Sequence, residues 1–290
     1  MYDLIVKGGT VVDPSQNLHA ISDVAIENGK IAKIATDIPA EEATRVIEIK
    51  GKILTPGLID LHTHVYSGVN ANGVDADLGG VRAGVTTMID AGSSGCDNFG
   101  GFPTHILPNT ATEIICFLHI CRTGLTTTPD IFSMESIDLD KTIETITNSN
   151  GVISGVKARM VSPALEIMGM EMPRMAKRAA VEAGVPLMVH IGDTTKRYDP
   201  NVISELLPIL DKGDIVTHYF TANPGGVLDS NSKLVPEAKE AHDRGVWLDT
   251  AHGQSNFSFE VGQKILDQGV VPHCISTDLT VPGRRNTVHS

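Results

Sequence analysis

The sequence has no long apolar run, which argues against a chain that crosses a membrane. No stretch of the 290 residues approaches the roughly 20 apolar residues that a membrane-spanning helix needs. The first residues, Met1–Val6, also lack the basic region, apolar run and small-residue cleavage site of a secretory leader. We therefore expect a cytoplasmic protein that does not associate with a membrane.

Positive charge is scarce as well. The chain has 23 Lys and Arg against 35 Asp and Glu, and its formal net charge is −12. Nucleic-acid binding needs clustered Lys and Arg to contact the phosphates, so the charge argues against a nucleic-acid partner. The acidic excess is better explained by solubility. It says little about a small-molecule substrate, which is the partner that we expect.

Cysteine is rare, and none of the four cysteines forms a C-x-x-C pair. A large cytosolic chain has little use for disulfides. Cys116 and Cys274 lie in apolar strand-like runs and are expected to pack in the core. Cys96 lies in a Gly- and Ser-rich loop that could approach an active site, although packing is the preferred interpretation there too.

Residues 1–52 form a segment of their own. Short β-branched runs alternate with turn signals, and Asn28-Gly29 between two alternating runs favours a hairpin. The pattern predicts a small antiparallel sheet module.

Residues 53–290 alternate apolar strand-like runs with amphipathic helical stretches. Eight strands, with no Gly-rich dinucleotide loop after the first, favour an α/β fold of the TIM-type (β/α)8 barrel over an open doubly wound sheet. The predicted strands are 53–61, 85–90, 113–119, 152–158, 185–191, 214–218, 246–250 and 272–277. The predicted helices include 138–148, 172–183, 201–211, 234–243 and 258–268.

The segment after the eighth predicted strand is short. Residues 284–290 are too few for a complete last helix, and a barrel without that helix would expose apolar strand faces. We therefore expect that a C-terminal part is missing.

His62-Thr63-His64 ends the first barrel strand. Side chains at i and i+2 of a strand point the same way, so both imidazoles can reach one metal ion at the C-terminal mouth of the barrel, where active sites lie. Alone the motif is weak, and two incidental histidines would explain it.

Four further residues end later strands: Lys157, His190, His218 and Asp278. Their intervals, counted from His64, are close to three, one, one and two βαβ units of about 30 residues, so all lie at the same end of the barrel. Imidazole and carboxylate ligands suit Zn²⁺, with Mn²⁺ or Fe²⁺ as alternatives. Lys157 fits only if CO₂ carbamylates its amine; otherwise it is a lysine salt-bridged inside the barrel.

With these residues the chain resembles the amidohydrolase superfamily, in the amidohydrolase/deacetylase branch related to dihydroorotases. The resemblance covers essentially the whole chain, and its motifs together are highly specific. The matching motifs are Asn28-Gly29-Lys30-Ile31, Leu54-Thr55-Pro56-Gly57-Leu58-Ile59-Asp60-Leu61-His62-Thr63-His64, Gly84-Val85-Thr86-Thr87, Gly155-Val156-Lys157-Ala158-Arg159, His190, His218 and Ser276-Thr277-Asp278.

The resemblance implies a hydrolase of carbon–nitrogen bonds other than peptide bonds, with two divalent metal ions. It also implies a homo-oligomer, and a β-sandwich that residues 1–52 share with residues after the barrel. The implied ligands are His62, His64 and Asp278 for one ion, His190 and His218 for the other, and carboxylated Lys157 as the bridge.

The implied mechanism is attack by a hydroxide shared between the ions. Asp278 would take the proton and return it to the leaving nitrogen. Arg159, two residues after Lys157, would bind a substrate carboxylate or form a structural ion pair. His252, followed by Gly253, is expected beside the substrate.

Other candidates are given no site role. Tyr219 directly follows His218, points away from the metal and is expected to pack. Five histidines lie off the ligand phase or on helices and loops: His105, His119, His242, His273 and His289.

The substrate class is the open question. A dihydroorotase would carry an arginine just after His-x-His, whereas this chain has Val65-Tyr66-Ser67-Gly68. This argues against a cyclic ureide as the substrate. The resemblance to the deacetylase branch implies instead an N-acyl amide or ester with an acidic portion. The alternatives are a cyclic amide hydrolase of dihydroorotase or hydantoinase type and a non-catalytic barrel relative, although the latter would be expected to lose ligands.

Overall fold

The chain forms two compact units. The computed structural model describes residues 1–195, residue 197 and residues 202–286, so His289 lies outside the described residues. The units are Met1–Leu58 and Ile59–Ser290. The boundary falls slightly later than residue 52 because Ile53 and Leu54 form a strand that pairs with the first strand of the chain.

The first unit is a five-stranded sheet in the order β3-β2-β1-β4, with β5 also paired to β1. The predicted hairpin is present, and Asn28 and Gly29 have the positive φ values, 53° and 72°, that a type I′ turn requires. The strands are β1 (Tyr2–Asp13), β2 (Leu18–Glu27), β3 (Lys30–Ala35), β4 (Ala43–Glu48) and β5 (Ile53–Leu54).

The prediction of an antiparallel module is wrong in part. β2 is antiparallel to β1 and to β3, but β4 and β5 run parallel to β1. Residues 36–42 carry the chain from β3 at one edge to the far side of β1, and such a crossover produces a parallel pair. The β-sandwich role of this sheet stays a prediction.

The second unit is built on a seven-stranded sheet whose strands follow chain order. From β7 to β12, each paired neighbour is parallel. The α/β class is therefore confirmed. The strands are β6 (Leu58–Thr63), β7 (Val85–Ala91), β8 (Glu113–His119), β9 (Ile153–Arg159), β10 (Leu187–His190), β11 (Ile215–Thr217) and β12 (Trp247–Asp249).

The segment predicted as an eighth strand, 272–277, closes this sheet without being a regular strand. Cys274 forms a parallel bridge with Asp249 of β12, and Leu279 forms one with Thr63 of β6. The ladder is interrupted because the backbone N–H of Thr277 bonds to the carboxylate of Asp60 at 3.2 Å instead of a strand carbonyl. The eighth position of the barrel is thus filled by an irregular segment.

Eight α-helices flank the strands within the described residues. The predicted helix 201–211 is shorter than expected, because Pro208 lies in a separate 3-10 turn, Leu207–Ile209; residue 201 lies outside the described part. The helices are α1 (Ala76–Gly79), α2 (Leu139–Thr147), α3 (Ala164–Met168), α4 (Glu171–Ala183), α5 (Val202–Leu206), α6 (Pro236–Arg244), α7 (Phe259–Leu266) and α8 (Val281–Asn286).

Helices α2, α4 and α7 each have an apolar face and a polar face. α4 and α6 end at Gly184 and Gly245, which take the left-handed conformation that ends helices. None of the helices in the described part of the chain combines the length and apolarity that crossing a membrane requires.

Candidate metal centre

Six side chains predicted as ligands converge at the carboxyl ends of the strands. His62 lies near the end of β6, Lys157 near the end of β9, and His190 is the last residue of β10. The ring centroids of His62 and His218 are 5.0 Å apart, and those of His190 and His218 are 4.2 Å apart. The residues that the sequence places at the same ends of their strands are therefore close together in space.

Asp278 faces this cluster from the eighth segment. Its Oδ1 lies 3.5 Å from Nε2 of His62 and 3.4 Å from Nε2 of His64. One ligand atom each from His62, His218 and Asp278 lie within 4.8 Å of one another. Bonds of about 2.0–2.2 Å to one ion require ligand atoms no more than about 4.4 Å apart, so small side-chain movements would let these three atoms share an ion.

The backbone brings two consecutive residues, the last of β11 and the one that follows it, into the centre. Successive side chains of a strand point to opposite faces, yet both Thr217 and His218 lie against His62. This is possible because His218 has a φ of 65°, which redirects the chain just after β11. A left-handed residue other than glycine costs about 1–3 kcal/mol, a strain typical of functional sites.

Asp278 is held by a similar turn, with a φ of 53°. Asp60 anchors the residue before it, because its carboxylate accepts the hydroxyl of Thr277 at 2.6 Å. Gly253 packs against Asp278 so closely that an added Cβ would lie 2.5 Å from Oδ2. The absent side chain at Gly253 therefore leaves the space that the carboxylate occupies.

The imidazoles are oriented by hydrogen bonds at Nδ1. Nδ1 of His62 lies 2.8 Å from the hydroxyl of Thr217, and Nδ1 of His64 lies 3.0 Å from that of Ser93. Nδ1 of His218 donates to the carbonyl of Ala251 at 2.8 Å. The Nε2 atoms are thereby directed at the centre of the cluster.

The donor set fits a metal ion. Nε2 of His190 and of His218 are buried and have no hydrogen-bond partner among the described residues. A buried polar nitrogen without a partner costs free energy, and an ion would satisfy both atoms at once. The residues present therefore fit a divalent cation.

Burial keeps these imidazoles neutral. It lowers the pKa of His62 and of His190 well below the usual range, and lowers the pKa of His218 to about 4. Neutral imidazole is the form that donates a lone pair to a metal. At neutral pH the cluster is therefore ready to bind a cation without first losing protons.

Lys157 is fully buried among these groups. Its Nζ lies 3.3 Å from Nε2 of His62 and 3.3 Å from Sδ of Met188. In the described part of the chain no carboxylate lies within salt-bridge distance of it, which disfavours a lysine salt-bridged inside the barrel. Burial lowers the pKa of the Lys157 amine to about 7.

A cavity of about 280 Å³ opens above the cluster. Arg159 contributes to its wall and is partly exposed, while its Nη1 lies 3.3 Å from Oδ2 of Asp130. Arg159 therefore forms an ion pair with a barrel acid, whereas its contact with a substrate carboxylate stays a prediction. The lining residues are His62, His64, Asn72, Leu125, Thr128, Lys157, Arg159, His190, Asn256, Asp278 and Thr280.

The sequence analysis gave His119 no site role. It is the last residue of β8, fully buried, and its Nε2 lies 3.3 Å from Oδ2 of Asp130, the carboxylate that also contacts Arg159. The signal was available, because His119 ends its strand as His190 does. Asp130 lies in a loop, and no pattern pointed to it.

Two other predicted residues lie nearby. Nδ1 of His252 is 3.2 Å from the carbonyl of Ser276, and the side chain is partly buried, so its place beside a substrate stays a prediction. Tyr219 is completely buried in the core, as expected for a packing residue. Cys96 and Cys116 are buried too.

Comparison with known proteins identifies relatives of the chain. The model of the Amidohydrolase family matches residues 53–203. A deacetylase of Agrobacterium fabrum is 34% identical over 255 residues, a match that covers 87% of this chain and 61% of the relative. The chain therefore spans about three fifths of the length of this curated relative.

Two solved structures are similar over nearly the whole chain. The crystal structure of an adenine deaminase has a TM-score of 0.88 and 30% identity, covering 99% of this chain and 76% of the deaminase. The crystal structure of a dihydroorotase has a TM-score of 0.83 and 31% identity, covering 98% of this chain and 74% of the dihydroorotase. Both similarities support the barrel-type α/β fold.

Proposed function

The chain belongs to the amidohydrolase family, and from this premise we propose that it is a metal-dependent hydrolase that cleaves an amide bond, or an ester bond, of an N-acyl or O-acyl compound. The observation that carries the proposal is the pair of buried Nε2 atoms of His190 and His218 that lack a partner among the described residues. The deacetylase relative supports the acyl substrate class.

The metal site is proposed to hold two divalent ions, Zn²⁺ with Mn²⁺ or Fe²⁺ as alternatives. Lys157 would bridge them as a carbamate, formed when its neutral amine attacks CO₂ and loses a proton. The burial of Lys157 and its place beside His62 support this role. The remaining ligands would be His62, His64 and Asp278 for one ion, and His190 and His218 for the other.

Divalent ions bound there would polarise the substrate carbonyl and lower the pKa of the attacking water. Asp278, whose Oδ1 faces His62 and His64, would accept the proton of that water and return it to the leaving nitrogen or oxygen. Arg159 would bind a substrate carboxylate at the cavity wall through the guanidinium nitrogens that Asp130 leaves available. The loop around His252 would lie beside the substrate.

A cyclic amide hydrolase is the second candidate, favoured by the solved dihydroorotase. The residues after the metal motif argue against it, because Val65 and Tyr66 supply no guanidinium for a substrate carboxylate and are not among the residues that line the cavity. Arg159 instead offers a guanidinium from another strand.

Hydrolysis rates decide between the candidates. We expect the purified protein, supplied with Zn²⁺, to cleave N-acetyl amino acids or O-acetyl hydroxy acids faster than dihydroorotate, hydantoins or adenine. Arg159→Met should raise the KM for carboxylate-bearing substrates more than for their methyl esters. Faster turnover of dihydroorotate would replace the deacylase proposal by the cyclic amide alternative, and no turnover of any amide or ester would contradict both.

A further inference from the structure

A chain of hydrogen bonds runs from a proposed metal ligand to a buried carboxylate. Nδ1 of His62 lies 2.8 Å from Oγ1 of Thr217, and Oγ1 of Thr217 lies 2.8 Å from Oδ2 of Asp249. The hydroxyl of Ser276 also donates to Oδ2 of Asp249 at 2.8 Å. The four side chains are essentially inaccessible to solvent, so these bonds do not compete with water.

The direction of each bond follows from the donors available. A carboxylate only accepts, so the single hydroxyl proton of Thr217 is given to Asp249. Thr217 must then accept from His62, which places the ring proton of His62 on Nδ1. Nε2 keeps its lone pair, and this is the atom that faces Asp278 at 3.5 Å.

The hydroxyl of Thr217 joins His62 to Asp249. His62 does not reach Asp249 itself, because its Nδ1 is 3.9 Å from Oδ2, beyond hydrogen-bond distance. Thr217 can fill the gap because it precedes His218, whose left-handed φ of 65° brings both side chains to the centre. The end of β11 thus supplies one proposed ligand and the group that orients another.

We infer that Thr217 and Asp249 are positioning residues that lock His62 in its Nδ1–H tautomer and thereby set the affinity of the metal site. The inference rests on the proposed metal-dependent function. Partners of this kind orient metal-binding histidines and increase their basicity, and losing one typically weakens metal binding about 10–100-fold.

The test compares Thr217→Val with Thr217→Ser. Valine keeps the branched shape and removes the hydroxyl, whereas serine keeps the hydroxyl. Zn²⁺ affinity is measured by competition with a chelator, and ¹⁵N-histidine spectra of the metal-free protein report the ring tautomers. We expect Thr217→Val to lose about 10–100-fold in affinity and to lose the protected Nδ1–H signal of His62, with Thr217→Ser close to wild type.

Thr63→Val is the matched control. Thr63 is buried and lies between His62 and His64, but its hydroxyl donates to the backbone carbonyl of Ile89 and not to a ligand. We expect its Zn²⁺ affinity to stay within about threefold of wild type, even where the melting temperature of the metal-free protein falls. An equal loss of affinity in Thr63→Val and Thr217→Val would overturn the inference, because it would mean that any buried hydroxyl matters.

The outcome also separates this inference from the proposed function. If wild type and Thr217→Val bind Zn²⁺ equally well, Thr217 is not a positioning residue, while the metal-dependent function stands. If wild type binds no Zn²⁺, Mn²⁺ or Fe²⁺, the inference and the proposed function both fail.

Discussion

At the scale of single residues, the chemistry of the centre depends on side chains that are buried before any ion arrives. His62, Lys157, His190 and His218 are almost inaccessible to solvent, and burial disfavours their charged forms. The imidazoles are therefore neutral and keep a free lone pair, while the amine of Lys157, with a pKa of about 7, is neutral in part of the molecules at neutral pH. The carboxylate of Asp278 supplies the negative charge, and although burial opposes ionisation, the neighbouring His64 and His218 lower its pKa.

Replacing Asp278 tests its role as proton carrier. Asp278→Asn keeps the size and one oxygen, so we expect at least one equivalent of metal to remain bound while kcat falls by about 100-fold or more, since proton transfer is lost. Metal content and hydrolysis kinetics on the same preparation measure both. Unchanged turnover would remove Asp278 from the mechanism.

The stability of the metal-free protein should fall in mild acid. Burial holds the pKa of His218 in the folded protein at about 4, against its ordinary value of 6.5, so the unfolded chain takes up the proton first as the pH falls. The contribution of neutral His218 to the free energy of unfolding is complete above pH 6.5 and is lost as the pH falls toward 4. By pH 5 the loss is about 2 kcal/mol. Urea unfolding at pH 7.5 and pH 5 measures it, and His218→Asn should flatten the dependence.

At the scale of elements, strand ends position the site, and the sequence shows most of them. β7 and β8 lie where the apolar runs predicted them, and regular strands made the spacing of the ligands informative. The irregular backbone of the eighth segment could not be predicted, because it depends on a hydrogen bond to the side chain of Asp60, which is distant in sequence. Thr217 was missed because strand alternation assigns it to the face opposite His218.

Asp60 should stabilise the eighth segment. Its buried carboxylate accepts the hydroxyl and backbone N–H of Thr277 and the backbone N–H of His62. We expect Asp60→Ala to lower the free energy of unfolding by about 2–3 kcal/mol, because buried donors lose their acceptor. Asp60→Asn, which keeps one acceptor oxygen, should lose less in the same urea titration, and equal losses would show that volume and not hydrogen bonding is responsible.

At the scale of the whole molecule, two units have separate cores, and the proposed chemistry lies in the second. The chain spans 61% of the length of the deacetylase relative. Cytoplasmic location and a homo-oligomer stay predictions, because nothing in the described residues tests them. The family could be recognised from the sequence because the proposed ligands are spread over strand ends at regular intervals. The substrate could not, because the cavity wall includes loop residues such as Asn72 and Asn256 that follow no sequence pattern.

Metal analysis of the purified protein tests the central claim most directly. We predict about two equivalents of divalent metal per chain after loading and dialysis, and a loss of at least one equivalent in His62→Ala, because that side chain faces Asp278 at the centre of the cluster. Less than one equivalent in the wild type, with no further loss in His62→Ala, would contradict a metal-dependent hydrolase.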